Sequence, residues 1–206
     1  MAGLRPTPPL PQWKLLGSVS SYYYTGGGVV FVGLLSALAV FLLTYKGYHN
    51  RYQKRDRVGA TIAGIAAALV AFSPTHAPVA ELQPAWWTPA FKYVHYVAAF
   101  VLFSTFAFFS LVQFPKSDPS HGPEPREKRV RNVIYRACGV GIAGCVLWIV
   151  IAARSRVPIF WPEALALEFF AISWLVKGRA LNAMSATTRR ALDIGRHPGQ
   201  LHHGQP

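Results

Sequence analysis

Three ionisable side chains stand out within the apolar stretches of the 206-residue chain: His95, Glu163 and Glu168. Such groups are costly in apolar surroundings, so they usually face a bundle interior or a water-filled cavity and mark a functional site. His95 and Glu163 sit near the ends of their stretches. Brought to one level, they could pair, hold a proton or a cation, or orient a polar headgroup; alternatively, each reaches the interface and is solvated. Glu168 lies near the middle of its stretch, where a carboxylate must be protonated, paired or open to a cavity. Five helical residues separate the two acids by about 140°, so they do not share a face. Glu163 lines up with Phe170, Trp174 and Lys177, and Glu168 with Ala164 and Leu175. A proton relay through Glu168 would need a basic partner in another stretch, and the sequence offers none.

A second constellation combines Lys46, Arg131, Asn132, Tyr135 and Lys177, with Tyr48, Asp56, Arg57 and Arg136 nearby. Arg131 and Tyr135 share a helical face, and Asp56 could pair with a basic residue there. The group reads as contacts to anionic lipid headgroups, although anchoring alone explains it. Other chemistries are poorly supplied. His95, His76 and the glutamates do not make a metal site with three convergent ligands, so neither metal nor cofactor is expected. Ser104 and Ser110 are at the wrong depth to use His95 as a base. Gly26-Gly27-Gly28 lacks the Lys and Ser/Thr of a phosphate-cradling loop. His197, His202 and His203 belong to a polar tail expected to be disordered. Cys138 and Cys145 are about 10.5 Å apart along one helix, too far for a disulfide, and read as packing residues.

The elements that must position these groups are five apolar runs, 28–45, 58–73, 93–114, 133–153 and 159–176. A helix needs roughly 20 residues to cross about 30 Å of hydrocarbon, so three runs suffice and the second and fifth are slightly short. No run alternates like a barrel strand, and helices alone satisfy the backbone in lipid. The expected fold is therefore an all-α integral membrane bundle of about five transmembrane helices. Ala60, Gly64 and Ala68 in the second run, and Gly139, Gly141 and Gly144 in the fourth, are small residues that let helix backbones approach closely.

Flanking this domain, 18–178, are a Pro-rich segment, 1–17, and a basic tail, 179–206, in which 180–194 could lie as a helix on the membrane. Residues 1–12 lack the pattern of a signal peptide. Pro119, Pro123 and Pro125 mark a solvated loop.

Charge gives the orientation. Of the 21 Lys and Arg residues, only Arg5, Lys14, Lys92, Arg154 and Arg156 fall on one side of the expected spans, and all the others on the opposite side. Positive residues stay cytoplasmic, which predicts an N-terminus outside and a C-terminus inside a bacterial inner membrane. Tyr22, Tyr23, Tyr24, Trp86, Trp87 and Trp161 then fall at outer boundaries, and Tyr45, Tyr48, Tyr135 and Trp174 near inner ones. The formal charge of +13 is explained by topology and by anionic headgroups. Nucleic acid is not an expected partner.

The strings Ser20-Ser21-Tyr22-Tyr23-Tyr24-Thr25, Phe31-Val32-Gly33, Tyr45-Lys46-Gly47-Tyr48, Arg131-Asn132-Val133-Ile134-Tyr135-Arg136-Ala137-Cys138-Gly139, Phe160-Trp161-Pro162-Glu163 and Ser173-Trp174-Leu175-Val176-Lys177-Gly178 resemble a family of bacterial multi-pass inner-membrane proteins that carry only a domain-of-unknown-function label. The resemblance covers roughly 18–178 and implies an integral inner-membrane protein without implying an activity. Two departures stand out. Gly26-Gly27-Gly28 replaces a charged dipeptide found in such proteins, and residues 1–17 are too short for the extra span that precedes the tyrosines there. A five-span variant and a start downstream of the true one are both consistent with this.

The expected function is non-enzymatic binding or transport of a small molecule or lipid. The alternatives are an outer-leaflet lipid-modifying enzyme around His95, Glu163, Tyr23 and Tyr24, and a subunit of an oligomer or membrane complex. An enzyme requires the outer polar groups to converge in one pocket, and a carrier requires a cavity reaching Glu168.

Overall fold

A computed structural model describes residues 15–47, 53–116, 126–155 and 157–178, the side chain of Glu127 excepted. The Pro-rich start, the proline loop and the tail with its histidines and expected surface helix lie outside these residues. Five helices account for most of the described chain: α1 (Gly28–Thr44), α2 (Gln53–Phe72), α3 (Pro89–Phe108), α4 (Arg126–Ser155) and α5 (Phe160–Lys177). No strand occurs among the described residues. The all-helical reading is correct.

Helix ends follow local chemistry. Pro89 opens α3 after the extended Thr88, where a missing N–H costs nothing. Pro74 lies just beyond the end of α2 and cannot continue it. Just after α1, Gly47 has a φ of 75°, open to glycine at little cost. At its C-terminal end α3 runs directly into a π-helical turn, Phe109–Gln113. This turn places Ser110 and Gln113 inward, where Ser110 Oγ donates to Ser173 Oγ at 2.9 Å and Gln113 Nε2 donates to Asp56 Oδ1 at 2.7 Å.

Successive helices run in opposite directions, as two sets of contacts show. At one end Asp56 meets Gln113, Lys177 Nζ donates to the Phe114 carbonyl at 3.3 Å, and Phe114 packs on Tyr135 and Trp174. At the other, Ile159 and Phe160 both donate to the Gly17 carbonyl, and His95 meets Ser73. Between the ends α2 packs on α1 and α3, and α4 on α3 and α5. Phe106 and Phe170 stack at the centre, 3.5 Å apart and nearly parallel.

Small residues set the closest approaches. A Cβ on Gly64 would lie 3.1 Å from the Ala39 carbonyl of α1, and one on Gly139 would lie 2.5 Å from Leu111. On Gly141 it would lie 2.6 Å from the Phe169 ring, whereas Gly144 faces open space. Cys138 and Cys145 are buried free thiols.

Two segments, Pro89–Gln113 and Lys128–Ser155, are both long and apolar enough to cross a membrane, and α1 is a shorter apolar helix. The outward faces carry large apolar side chains, among them Val29, Val40, Val97, Val140, Leu147 and Leu175.

Candidate functional site

At the end of the bundle opposite the Asp56–Gln113 contact, the segment before α1 folds onto the start of α5. Residues Ser20–Tyr24 form a 3-10 turn, preceded by Val19, whose N–H donates to Glu163 Oε2 at 2.7 Å. Ser18 Oγ lies 3.0 Å from Ser20 Oγ and 2.7 Å from Ser21 Oγ. These hydroxyls line a cavity of about 490 Å³ together with Thr75, His76, His95, Tyr96 and Glu163. The rest of the wall is apolar, with Phe100 and Phe103 from α3 facing Val146 and Ile149 from α4. The cavity is thus polar on one side and oily on the other.

His95 is 3% exposed, and its Nδ1 lies 2.8 Å from the Ser73 carbonyl oxygen. A carbonyl can only accept, so Nδ1 carries the proton, and the Val70 main chain is a second hydrogen-bond partner of the ring. His95 also acts structurally, because the carbonyls just past α2 have no helical partner. Its bond is one of three in succession. Trp87 Nε1 donates to the Pro74 carbonyl at 2.9 Å, and the Tyr24 hydroxyl donates to the Thr75 carbonyl. Gln83 completes the arrangement by accepting from the Ala77 N–H at 2.8 Å and donating to the Tyr24 oxygen. Burial raises the Tyr24 phenol above its ordinary pKa, outweighing the lowering effect of Gln83. It therefore remains a donor at neutral pH.

The expected meeting of His95 and Glu163 takes a specific form. Both line one cavity, yet each is bonded to main chain, His95 to Ser73 and Glu163 to Val19. Their level is shared, and the solvated-interface alternative does not describe the buried His95. Tyr23 is absent from the cavity lining, and Tyr24 is engaged with the loop after α2. His76 stands at the cavity with its ring against Trp87 and its Nδ1 2.9 Å from the Ala77 carbonyl.

Glu168 is exposed on the outward face of α5 and does not line this cavity. On the stripe of Glu163, Phe170 is buried and Trp174 packs on Phe41, Phe109 and Phe114. At the other end Lys46 is exposed and Arg131 and Asn132 are half-buried. Tyr135, 3% exposed, is withdrawn beneath Phe114 and offers no surface to a headgroup. Lys177 reaches the Phe114 carbonyl and ring. Asp56 is buried and accepts from Gln113.

The serines, Thr75 and Tyr96 were not picked out as site residues from sequence. The local signal was their position in or near Ser20-Ser21-Tyr22-Tyr23-Tyr24 or beside His76 and His95; their convergence depends on the docking of residues 17–24 against α5. Among the described residues no group of three or more His, Cys, Asp and Glu side chains could hold a metal ion. No family model, no curated protein and no solved structure matches the chain.

Proposed function

We propose that the chain is a five-span protein of a bacterial inner membrane that binds an amphiphilic small molecule or lipid in the cavity beneath Ser18, His95 and Glu163. The observation that carries this reading is the two-sided wall of that cavity. Its volume lies within the roughly 300–1,000 Å³ range usual for small-molecule sites. Hydroxyls, imidazoles and a carboxylate suit a polar group rich in hydrogen-bonding positions, and the α3–α4 wall suits its apolar remainder.

The membrane reading draws on two further features. Outward faces bearing Val29, Val97, Leu147 and Leu175 would be untenable as an apolar belt in water. Among the described residues, Lys46, Lys54, Arg55, Arg57, Lys116, Arg126, Lys128, Arg129, Arg131, Arg136 and Lys177 gather toward the end marked by Asp56 and Gln113, against Lys92 and Arg154 toward the cavity end. Positive residues are retained in the cytoplasm, so the cavity faces the outer leaflet. The resemblance of several strings to those of multi-pass inner-membrane proteins is consistent with this reading.

Binding is favoured over catalysis because His95 and Glu163 are engaged by main chain, and no nucleophile–base pair links the cavity's side chains. The lipid-modifying alternative retains support from the convergence of these groups in one cavity. A carrier with its path through Glu168 is not favoured.

The test is mass spectrometry of organic extracts from purified protein, comparing wild type with Ala99→Phe and Val146→Phe, which intrude on the apolar wall. A co-purifying amphiphile should be lost from both variants while thermal stability is retained. Equal extracts from all three would defeat the proposal. A membrane-impermeant thiol reagent on intact cells should label Glu81→Cys and spare Arg129→Cys; the reverse would overturn the orientation.

A further inference from the structure

On the outward side of α2 and α3 an open groove of about 550 Å³ begins at Lys54 and Arg55 and runs between Val58 and Ile62 on one wall and Phe100, Ser104 and Phe108 on the other. Gly59 also lines it, and the Phe109 ring packs against the bare backbone there, since a Cβ would lie 3.1 Å from that ring. The groove is distinct from the cavity at the other end, although Phe100 borders both. From Phe108 to Phe100 it extends about 12 Å along the helix axis. Lys54 and Arg55 are both exposed, while the acid that follows them, Asp56, is buried and accepts from Gln113. Among the described residues the lining is therefore cationic at this end and includes no carboxylate.

We propose that this groove is a site for an anionic phospholipid of the inner leaflet, with its phosphate between Lys54 and Arg55 and one acyl chain along Ile62, Phe100 and Ser104. The argument is complementarity of both parts. A soluble anion would use the two cations and leave the groove empty; a neutral lipid would fill the groove and leave the cations unanswered. An anionic amphiphile satisfies both, and the basic end of the bundle lies at the leaflet that supplies it. The inference rests on the membrane-spanning reading and is independent of a ligand in the other cavity.

The experiment reconstitutes the full chain into phosphatidylcholine vesicles containing a photoreactive phospholipid with a diazirine on one acyl chain, carrying either a phosphatidylglycerol or a phosphatidylcholine headgroup. Cross-links are mapped by peptide mass spectrometry. The phosphatidylglycerol probe should label peptides from α2 and α3 around Ile62 and Ser104, and the double substitution Lys54→Ala, Arg55→Ala should reduce that labelling at least about five-fold. Ser104→Trp should abolish it with both cations in place, and Lys92→Ala at the opposite end should not alter it. Equal labelling by the two headgroups, or phosphatidylglycerol labelling indifferent to loss of Lys54 and Arg55, would overturn the assignment. Neither result bears on extracts from the Ala99 and Val146 variants, so the two sites fail separately.

Discussion

The Val19 N–H donates to Glu163 Oε2 at 2.7 Å, joining two residues 144 positions apart and fastening the segment before α1 to the first turn of α5. The bond closes one side of the cavity, and its loss should loosen Ser18 through Ser21. Glu163→Gln retains an acceptor oxygen and should preserve the segment's position. Glu163→Ala leaves the Val19 amide without its partner and should cost about 1–2 kcal/mol. Hydrogen exchange at Val19 checks this: fast exchange in the Ala variant with near-native protection in the Gln variant is the expected pattern. Equal protection in both would show that the carboxylate does not hold the segment.

Three successive carbonyls, Ser73, Pro74 and Thr75, each receive a donor from a different part of the chain, His95, Trp87 and Tyr24. Removing donors one at a time should have graded effects. His95→Phe, at the most buried position, should destabilise by roughly 2 kcal/mol, and Trp87→Phe and Tyr24→Phe by about 1 kcal/mol each. The Tyr24 contribution also has a pH signature. Because its folded pKa is raised, its stabilisation is fully present below the unfolded phenol pKa near 10 and is lost as pH rises through the folded value. Thermal scans of wild type and Tyr24→Phe should therefore converge in strong alkali; a constant difference would assign the effect to packing.

Gly141 and Gly144 occupy the same helix but different surroundings. A Cβ at 141 would meet the Phe169 ring at 2.6 Å, and one at 144 would meet nothing within 4 Å. Gly141→Ala should destabilise by about 1–3 kcal/mol because the α4–α5 contact must open. Gly144→Ala should be neutral or stabilise by up to about 1 kcal/mol through helix propensity. Unfolding midpoints of the two purified variants decide this, and equal effects would mean that α4 and α5 are not packed as described.

The apolar runs located all five helices because burial and outward apolar exposure leave the same signature along a helix. They misplaced helix starts. α2 begins at Gln53, ahead of the run at 58, and α4 at Arg126, ahead of the run at 133, since Lys, Arg and Glu extend a helix past its apolar part. The shared level of His95 and Glu163 was legible from alternating helix direction. Their main-chain partners were not, because Ser73 and Val19 carry no distinguishing side-chain signal. The π turn that aims Ser110 at Ser173 was equally hidden, being a change of backbone register within an unbroken apolar run.

Glu168 separates a lipid-facing reading from a partnered one. Its carboxyl group is exposed amid Leu165, Ile172 and Leu175, themselves exposed apolar residues. In a membrane that face would meet acyl chains, and a polar group there opposes insertion. Glu168→Leu should therefore raise the thermal midpoint of the purified protein by a few degrees and leave the amphiphile binding proposed for the Ser18–His95–Glu163 cavity unchanged. If α5 instead meets a second membrane protein or another copy through Glu168, the substitution should lower the midpoint and dissociate that assembly in size-exclusion chromatography. A midpoint that rises without a change in elution volume identifies α5 as lipid-facing, and the opposite pair of results identifies a partner helix.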